Sequence, residues 1–156
     1  MDKKVINQSW LDMYVGELQR SGAGTHQQFE RWSLCPCCHF PTLSRRGQFD
    51  ICALCNWEDD GQDDHNADKI LYGPNQDYSL TEARANFVQY LTSYRPSDTY
   101  HFNRTTFKSA FNGENAVDLT EMKRKIIEMY HQALHCPDAA ERNVLMQQAM
   151  AMCEQL

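Results

Sequence analysis

The sequence contains no apolar run approaching the ~20 residues that a membrane-spanning helix requires. Its first stretch, Met-Asp-Lys-Lys-Val-Ile-Asn-Gln-Ser-Trp, also lacks the apolar core of a signal peptide, so a cytoplasmic protein that does not enter a membrane is expected. Basic residues are in deficit as well, with 15 Lys and Arg against 21 Asp and Glu. Phosphate recognition requires a basic face, and this balance weighs against nucleic acid as the main ligand and toward a cationic partner or a metal. Missing too are a phosphate-binding glycine loop, a dinucleotide fingerprint and a nucleophile motif, and no internal repeat is present. A chain of 156 residues with 42% apolar types is long enough to bury a core as a single domain over 1–156.

Cysteine, by contrast, is plentiful, with seven in the chain and five of them at positions 35, 37, 38, 52 and 55. In a chain without secretory features this density points to metal binding, and the odd total argues against a fully paired disulfide framework. Cys35-Pro36-Cys37-Cys38 and Cys52-Ala53-Leu54-Cys55 form a C-x2-C-x13-C-x2-C arrangement. Two residues between ligands let a tight turn aim both thiolates at one ion, and two such knuckles complete a tetrahedral zinc shell of Cys35, Cys38, Cys52 and Cys55. Four thiolates leave no position for water, so the predicted role of the one zinc ion is structural. Redox-active thiols are the competing reading. Cys37 is expected to be a thiol outside the shell, because a one-residue separation makes a poor chelate turn. His39 is an alternative ligand whose simpler reading is a ring beside the site.

The predicted fold is α+β, with a small four-cysteine zinc ribbon over 33–57 embedded among about four helices. One helix is expected from Val5 to Arg20. The ribbon strands are placed at 40–44 and 48–51, around a turn at Arg45-Arg46-Gly47. Ser79-Leu80-Thr81-Glu82 matches a capping box, and Leu80, Ala83, Phe87, Tyr90, Leu91 and Tyr94 give the following helix one apolar face, with Arg95-Pro96 as its stop. Residues 97–117 read as irregular or partly stranded. Asp118 and Asp138 cap two further helices, 118–135 and 138–155, which form a C-terminal helical hairpin over 118–156; Val144, Leu145, Ala149, Met152 and Leu156 mark the buried stripe of the second. Arg45-Arg46, Lys123-Arg124-Lys125 and the pair His131 and His135 are read as solvated surface.

Between Glu58 and Asp68 there are six acids and no base, which accounts for a deficit equal to that of the whole chain. An EF-hand register with Gly61 at its sixth position fails, because Ala67 falls where a bidentate Glu is required. A looser divalent site from Asp59, Asp60, Asp63, Asp64 and His65 would bring metal-assisted hydrolysis into consideration. A solvated charged loop is the plainest reading. Partner recognition is the third: the field of Glu58, Asp59, Asp60, Asp63 and Asp64, with Trp57 as an anchor at its edge, attracts a cationic surface. On that reading, charge reversal of Asp59, Asp60, Asp63 and Asp64 slows association far more than it alters folding.

Cys35-Pro36-Cys37-Cys38, the run from Cys52 to Asp64, the Gly73-Pro74-Asn75 turn and Ser79 to Phe87 together resemble the cysteine-rich CPCC domain family of bacteria and phages, over about residues 33–90. One departure is His39, where the family usually has glycine; Asn56, in the corresponding place after Cys55, tolerates a left-handed conformation. The resemblance implies a small zinc-ribbon-like domain whose members lie near bacterial toxin modules and are regarded as immunity proteins. The leading expectation is therefore a non-enzymatic, zinc-stabilised immunity protein that neutralises a cognate toxin with a basic surface. A nucleic-acid-associated zinc-ribbon regulator is the second reading, and a metal-dependent hydrolase using the acidic loop the third.

Overall fold

The computed structural model describes residues 28–29, 31–108 and 116–156, and the helix expected at Val5–Arg20 lies outside them. The chain divides into two compact units, residues 1–95 and 96–156. The α+β class is as expected from the sequence, with four helices and two small antiparallel strand pairs among the described residues. None of these helices is long and apolar enough to cross a membrane.

In the first unit, β1 (Gln28–Phe29) pairs with β2 (Trp32–Ser33) in antiparallel register. The hairpin expected between 40–44 and 48–51 does not form. Each cysteine knuckle instead closes on itself, with an isolated bridge between Ser33 and Leu43 across the first and between Ile51 and Glu58 across the second. The reason is local: each knuckle turns both thiols inward and pairs its own flanks, so residues 40–44 and 48–51 spend their backbone bonds on Ser33 and on Trp57–Asp59 instead of on each other. A 3-10 turn at Asp64–Asn66 follows, capped by the Asp63 side chain.

Helix α1 (Leu80–Tyr90) begins as predicted, with the Ser79 hydroxyl accepting the Glu82 amide at 3.1 Å. The reciprocal half of the capping box is replaced: Glu82 turns its carboxylate to Arg95, at 2.6 and 2.9 Å, while the Arg95 guanidinium lies 4.0 Å above the Tyr78 ring. The helix stops four residues short of the predicted Tyr94, because Leu91 takes a left-handed cap at φ 58°. That reversal sends Thr92 and Ser93 into the interior, where the Ser93 amide donates to the Cys55 carbonyl at 2.7 Å and its carbonyl accepts from Asn86 at 3.0 Å. The core of this unit consists of the knuckle cysteines with Leu34, Phe40, Leu43, Leu54, Trp57, Tyr78, Leu80, Ala83, Phe87 and Leu91.

In the second unit, α2 (Thr99–Thr106) occupies part of the segment that showed no clear period in the sequence, and β3 (Phe107–Lys108) pairs with β4 (Val117–Asp118). Helices α3 (Thr120–His135) and α4 (Ala139–Cys153) form the predicted hairpin, with Asp138 capping α4 through the Glu141 amide at 2.8 Å. Asp118 bonds the Thr120 amide from β4 rather than from the cap position, which Leu119 occupies. The α4 stripe is rotated from the expected one: Met146, Ala149 and Cys153 are buried, whereas Val144 is 53% exposed. Lys123 is not a surface residue either. It is 2% exposed, and its ammonium donates to the Thr105 carbonyl at 2.8 Å.

Candidate metal centre and the acidic loop

The two knuckles share one geometry. In each, the amide four residues after the first cysteine donates to that cysteine's carbonyl at 2.8 Å, His39 to Cys35 and Asn56 to Cys52. In each, the first cysteine's amide donates five residues on, Cys35 to Phe40 and Cys52 to Trp57, at 2.9 Å. Closing this turn requires a left-handed residue after the second cysteine, and His39 and Asn56 have φ of 65° and 70°. Asparagine accepts this conformation and alanine resists it, so Asn56→Ala is expected to lower stability by about 1 kcal/mol and Asn56→Gly to be neutral or better, measured by urea unfolding of the metal-loaded protein.

The turns bring together Cys35, Cys38, Cys52 and Cys55, all fully buried, with their sulfurs within 4.8 Å of one another. The Cys35 and Cys55 sulfurs are 3.6 Å apart and those of Cys38 and Cys52 are 3.7 Å apart, with no disulfide formed. A tetrahedral ion with metal–sulfur bonds of about 2.3 Å sets its ligands about 3.8 Å apart, so the donor set fits a metal. The Cys55 amide approaches the Cys52 sulfur at 3.4 Å, the Trp57 amide the Cys55 sulfur at 3.5 Å, and the Thr42 hydroxyl the Cys52 sulfur at 2.9 Å, contacts suited to thiolates. Cys37 and His39 are buried beside this cluster without belonging to it. Burial lowers the His39 pKa to about 4, with the Arg84 charge adding to the effect, so the ring is neutral at pH 7.

Burial pushes the Cys35, Cys38 and Cys55 thiols well above their usual range. At Cys52 burial also opposes ionisation, but hydrogen bonds from Cys35, Cys38, Cys55 and Thr42 together hold it well below. Zinc takes cysteine as thiolate, so metal binding must displace thiol protons from this buried cluster. Affinity is therefore expected to fall as pH is lowered, measured by competition with a chelator of known pH dependence.

The acidic loop is built differently from either solvated surface or an open docking face. Asp59 is 0% exposed and Asp63 2%, and both carboxylates close on Arg46, at 3.0 and 2.8 Å. Arg46 also donates to the Gln62 carbonyl at 2.9 Å, and the Gly47 amide donates to Asp59 at 2.6 Å. Burial works against the Arg46 charge, but hydrogen bonds and attraction from Asp63 and Asp59 outweigh it and hold the guanidinium above its usual value. Asp60 accepts from the Gln62 amide and from Asn75, and Asp64 pairs with Arg84 at 2.7 Å. The Nε of Arg84 donates to the Pro36 carbonyl at 2.8 Å and so ties α1 to the first knuckle.

These contacts correct part of the sequence-based interface. Trp57, 1% exposed, together with Asp59 and Asp63, lies inside the fold, because the loop folds its own acids onto Arg46; Glu58 and Asp60 are half-buried, and Asp64 is exposed. Charge reversal at Asp59 or Asp63 would therefore damage folding first. Among the described residues the loop acids and His65 do not converge on a common point, so the looser divalent site gains no geometry. Arg46, read from the sequence as solvated surface, is instead the counter-charge of Asp59 and Asp63, and Arg84 is the residue that sequence reasoning missed; for Arg46 the +1 charge of segment 33–57 beside the −6 of 58–68 was the available signal.

Residues 33–101 match the family model of the cysteine-rich CPCC proteins, so the resemblance read from the sequence holds for that segment and extends past residue 90. No curated protein and no solved structure matches the chain.

Proposed function

We propose that the chain is a zinc-stabilised binding protein, without catalytic activity, that neutralises a cationic bacterial toxin by one-to-one association in the cytoplasm. The observation that carries the structural role of the metal is the closed shell of four buried cysteines, which favours organising the fold over catalysis at the ion. An all-sulfur tetrahedral set favours zinc over magnesium or calcium, which take oxygen ligands. The metal organises a segment that has little other regular structure, and the net negative charge favours encounter with a basic partner over nucleic acid. A toxin is the partner that the family resemblance suggests.

The test is a pull-down of tagged, full-length protein from its host. Retained proteins are identified by mass spectrometry, nucleic acid is quantified in parallel eluates, and metal is measured by elemental analysis. One equivalent of zinc and a single stoichiometric basic protein, toxic when expressed alone and harmless when co-expressed, is the expected result. Nucleic acid retained in a salt-sensitive way without such a protein overturns the reading in favour of the regulator.

A further inference from the structure

We infer that Phe49, Ile51, Ile70, Leu71 and Tyr72 form a docking surface for a cationic, amphipathic segment of another protein. Among the described residues of the first unit these are the large apolar side chains left exposed, at 42–76%, and they fall in two short stretches rather than singly. The first stretch pairs with one strip of backbone, and the turn that follows the second is tied to the same strip. Ile51 bridges Glu58, and the Phe49 amide donates to the Asp59 carbonyl at 3.0 Å. On the other side, the Asn75 side chain holds the Glu58 amide at 3.2 Å and its carbonyl at 2.7 Å, which fixes the turn after Tyr72 against the same strip.

Two of the five have a left-handed backbone while their side chains stay outward. Phe49 and Tyr72 have φ of 61° and 53°, where a bulky aromatic is disfavoured, yet they are 56% and 76% exposed. Aromatics kept outward at such positions are suited to burial against a partner.

The charges around the strip decide the partner's chemistry. Arg46, Arg84 and Arg95 are engaged by Asp59 and Asp63, by Asp64, and by Asp77 and Glu82. Asp50, Asp60 and Asp68 meet neutral partners, namely Ser44, Gln62 with Asn75, and Thr81. With Glu58 they outnumber the exposed Arg45 and Lys69 four to two and leave the apolar stretches in a net negative field, which repels nucleic acid, anionic lipid and a second copy of the same face. A segment with apolar anchors flanked by Lys and Arg fits both features.

This surface rests on the binding role proposed above and names where that binding occurs. The probe is a random-peptide display library selected on the full-length, metal-loaded protein. Enriched peptides are expected to combine bulky aliphatic or aromatic residues with Lys and Arg. A synthesised peptide from the selection should lose affinity about tenfold or more on Ile51→Ser with Tyr72→Ser, and on Glu58→Lys, and change less than about twofold on Val144→Ser in the second unit. Thermal unfolding of each variant checks its fold, and Tyr72→Ser alone serves if the double variant is unstable. No enrichment, enrichment of acidic or uncharged peptides, affinity indifferent to these changes, or a concentration-dependent dimer abolished by Tyr72→Ser each overturns it. If the host toxin binds the Ile51→Ser, Tyr72→Ser variant as tightly as wild type, the surface fails and the neutralising role stands. If the peptides behave as expected while the host pull-down yields only nucleic acid, the role fails and the surface stands.

Discussion

Stripping the metal is expected to unfold the first unit. Five cysteines belong to its core, and the flanks of the knuckles are held by isolated bridges and turns rather than by a sheet. Without an ion, four buried cysteine side chains face each other where four metal–sulfur bonds would be, and nothing replaces that cohesion. Structural zinc contributes on the order of 10 kcal/mol of folding free energy in small Cys-rich modules, more than the typical net stability of a domain. The measurement is tryptophan emission during chelation, with metal release followed in parallel. Trp10, Trp32 and Trp57 all lie in residues 1–95, and Trp57 is 1% exposed, so a red shift in step with loss of one metal equivalent reports this unit. Cys38→Ser and Cys52→Ser should show the shifted emission from the start, whereas Cys37→Ser should retain one equivalent. Unchanged emission after complete metal loss would show that the apolar core suffices alone.

What the sequence makes legible is what depends on near neighbours. The knuckle spacing selects the four ligands because a two-residue gap fixes how two thiols can point, and Asn56 takes the left-handed turn that its side chain tolerates. Ser79 and Asp138 start their helices as read, since a cap needs partners only three residues away. Where fold and sequence pattern part, a distant partner intervenes. The apolar period of helix α1 continues to Tyr94, but the Cys55 carbonyl, 38 residues before Ser93, needs a donor and the chain turns at Leu91 to provide it. Glu82 leaves the capping box for Arg95, thirteen residues on. Trp57 and the acids beside it look like surface because nothing local to them is basic; their counter-charge sits on the far side of the second knuckle.

That counter-charge leads to the second large effect. Arg46→Ala is expected to destabilise the first unit by about 3 kcal/mol, against a few tenths for Arg45→Ala, whose side chain is exposed. Removing the guanidinium takes the counter-charge from the buried carboxylates of Asp59 and Asp63, and breaking one side of a buried pair costs more than the pair itself contributes. The figure is set at the low end for buried pairs because the Arg46 side chain keeps 17% of its exposure and some solvent screening. Arg46→Lys should recover little of the loss. A single ammonium cannot reproduce the fork in which Nε meets Asp59 while the two terminal nitrogens meet Asp63 and the Gln62 carbonyl. The decisive comparison is the double variant Arg46→Ala with Asp59→Asn: neutralising one stranded carboxylate should restore part of the stability in urea unfolding, a sign of coupling that two independent surface charges would not give. Strict additivity of the two substitutions would mean that the loop acids are solvated after all, and that their field is available in full to a cationic partner.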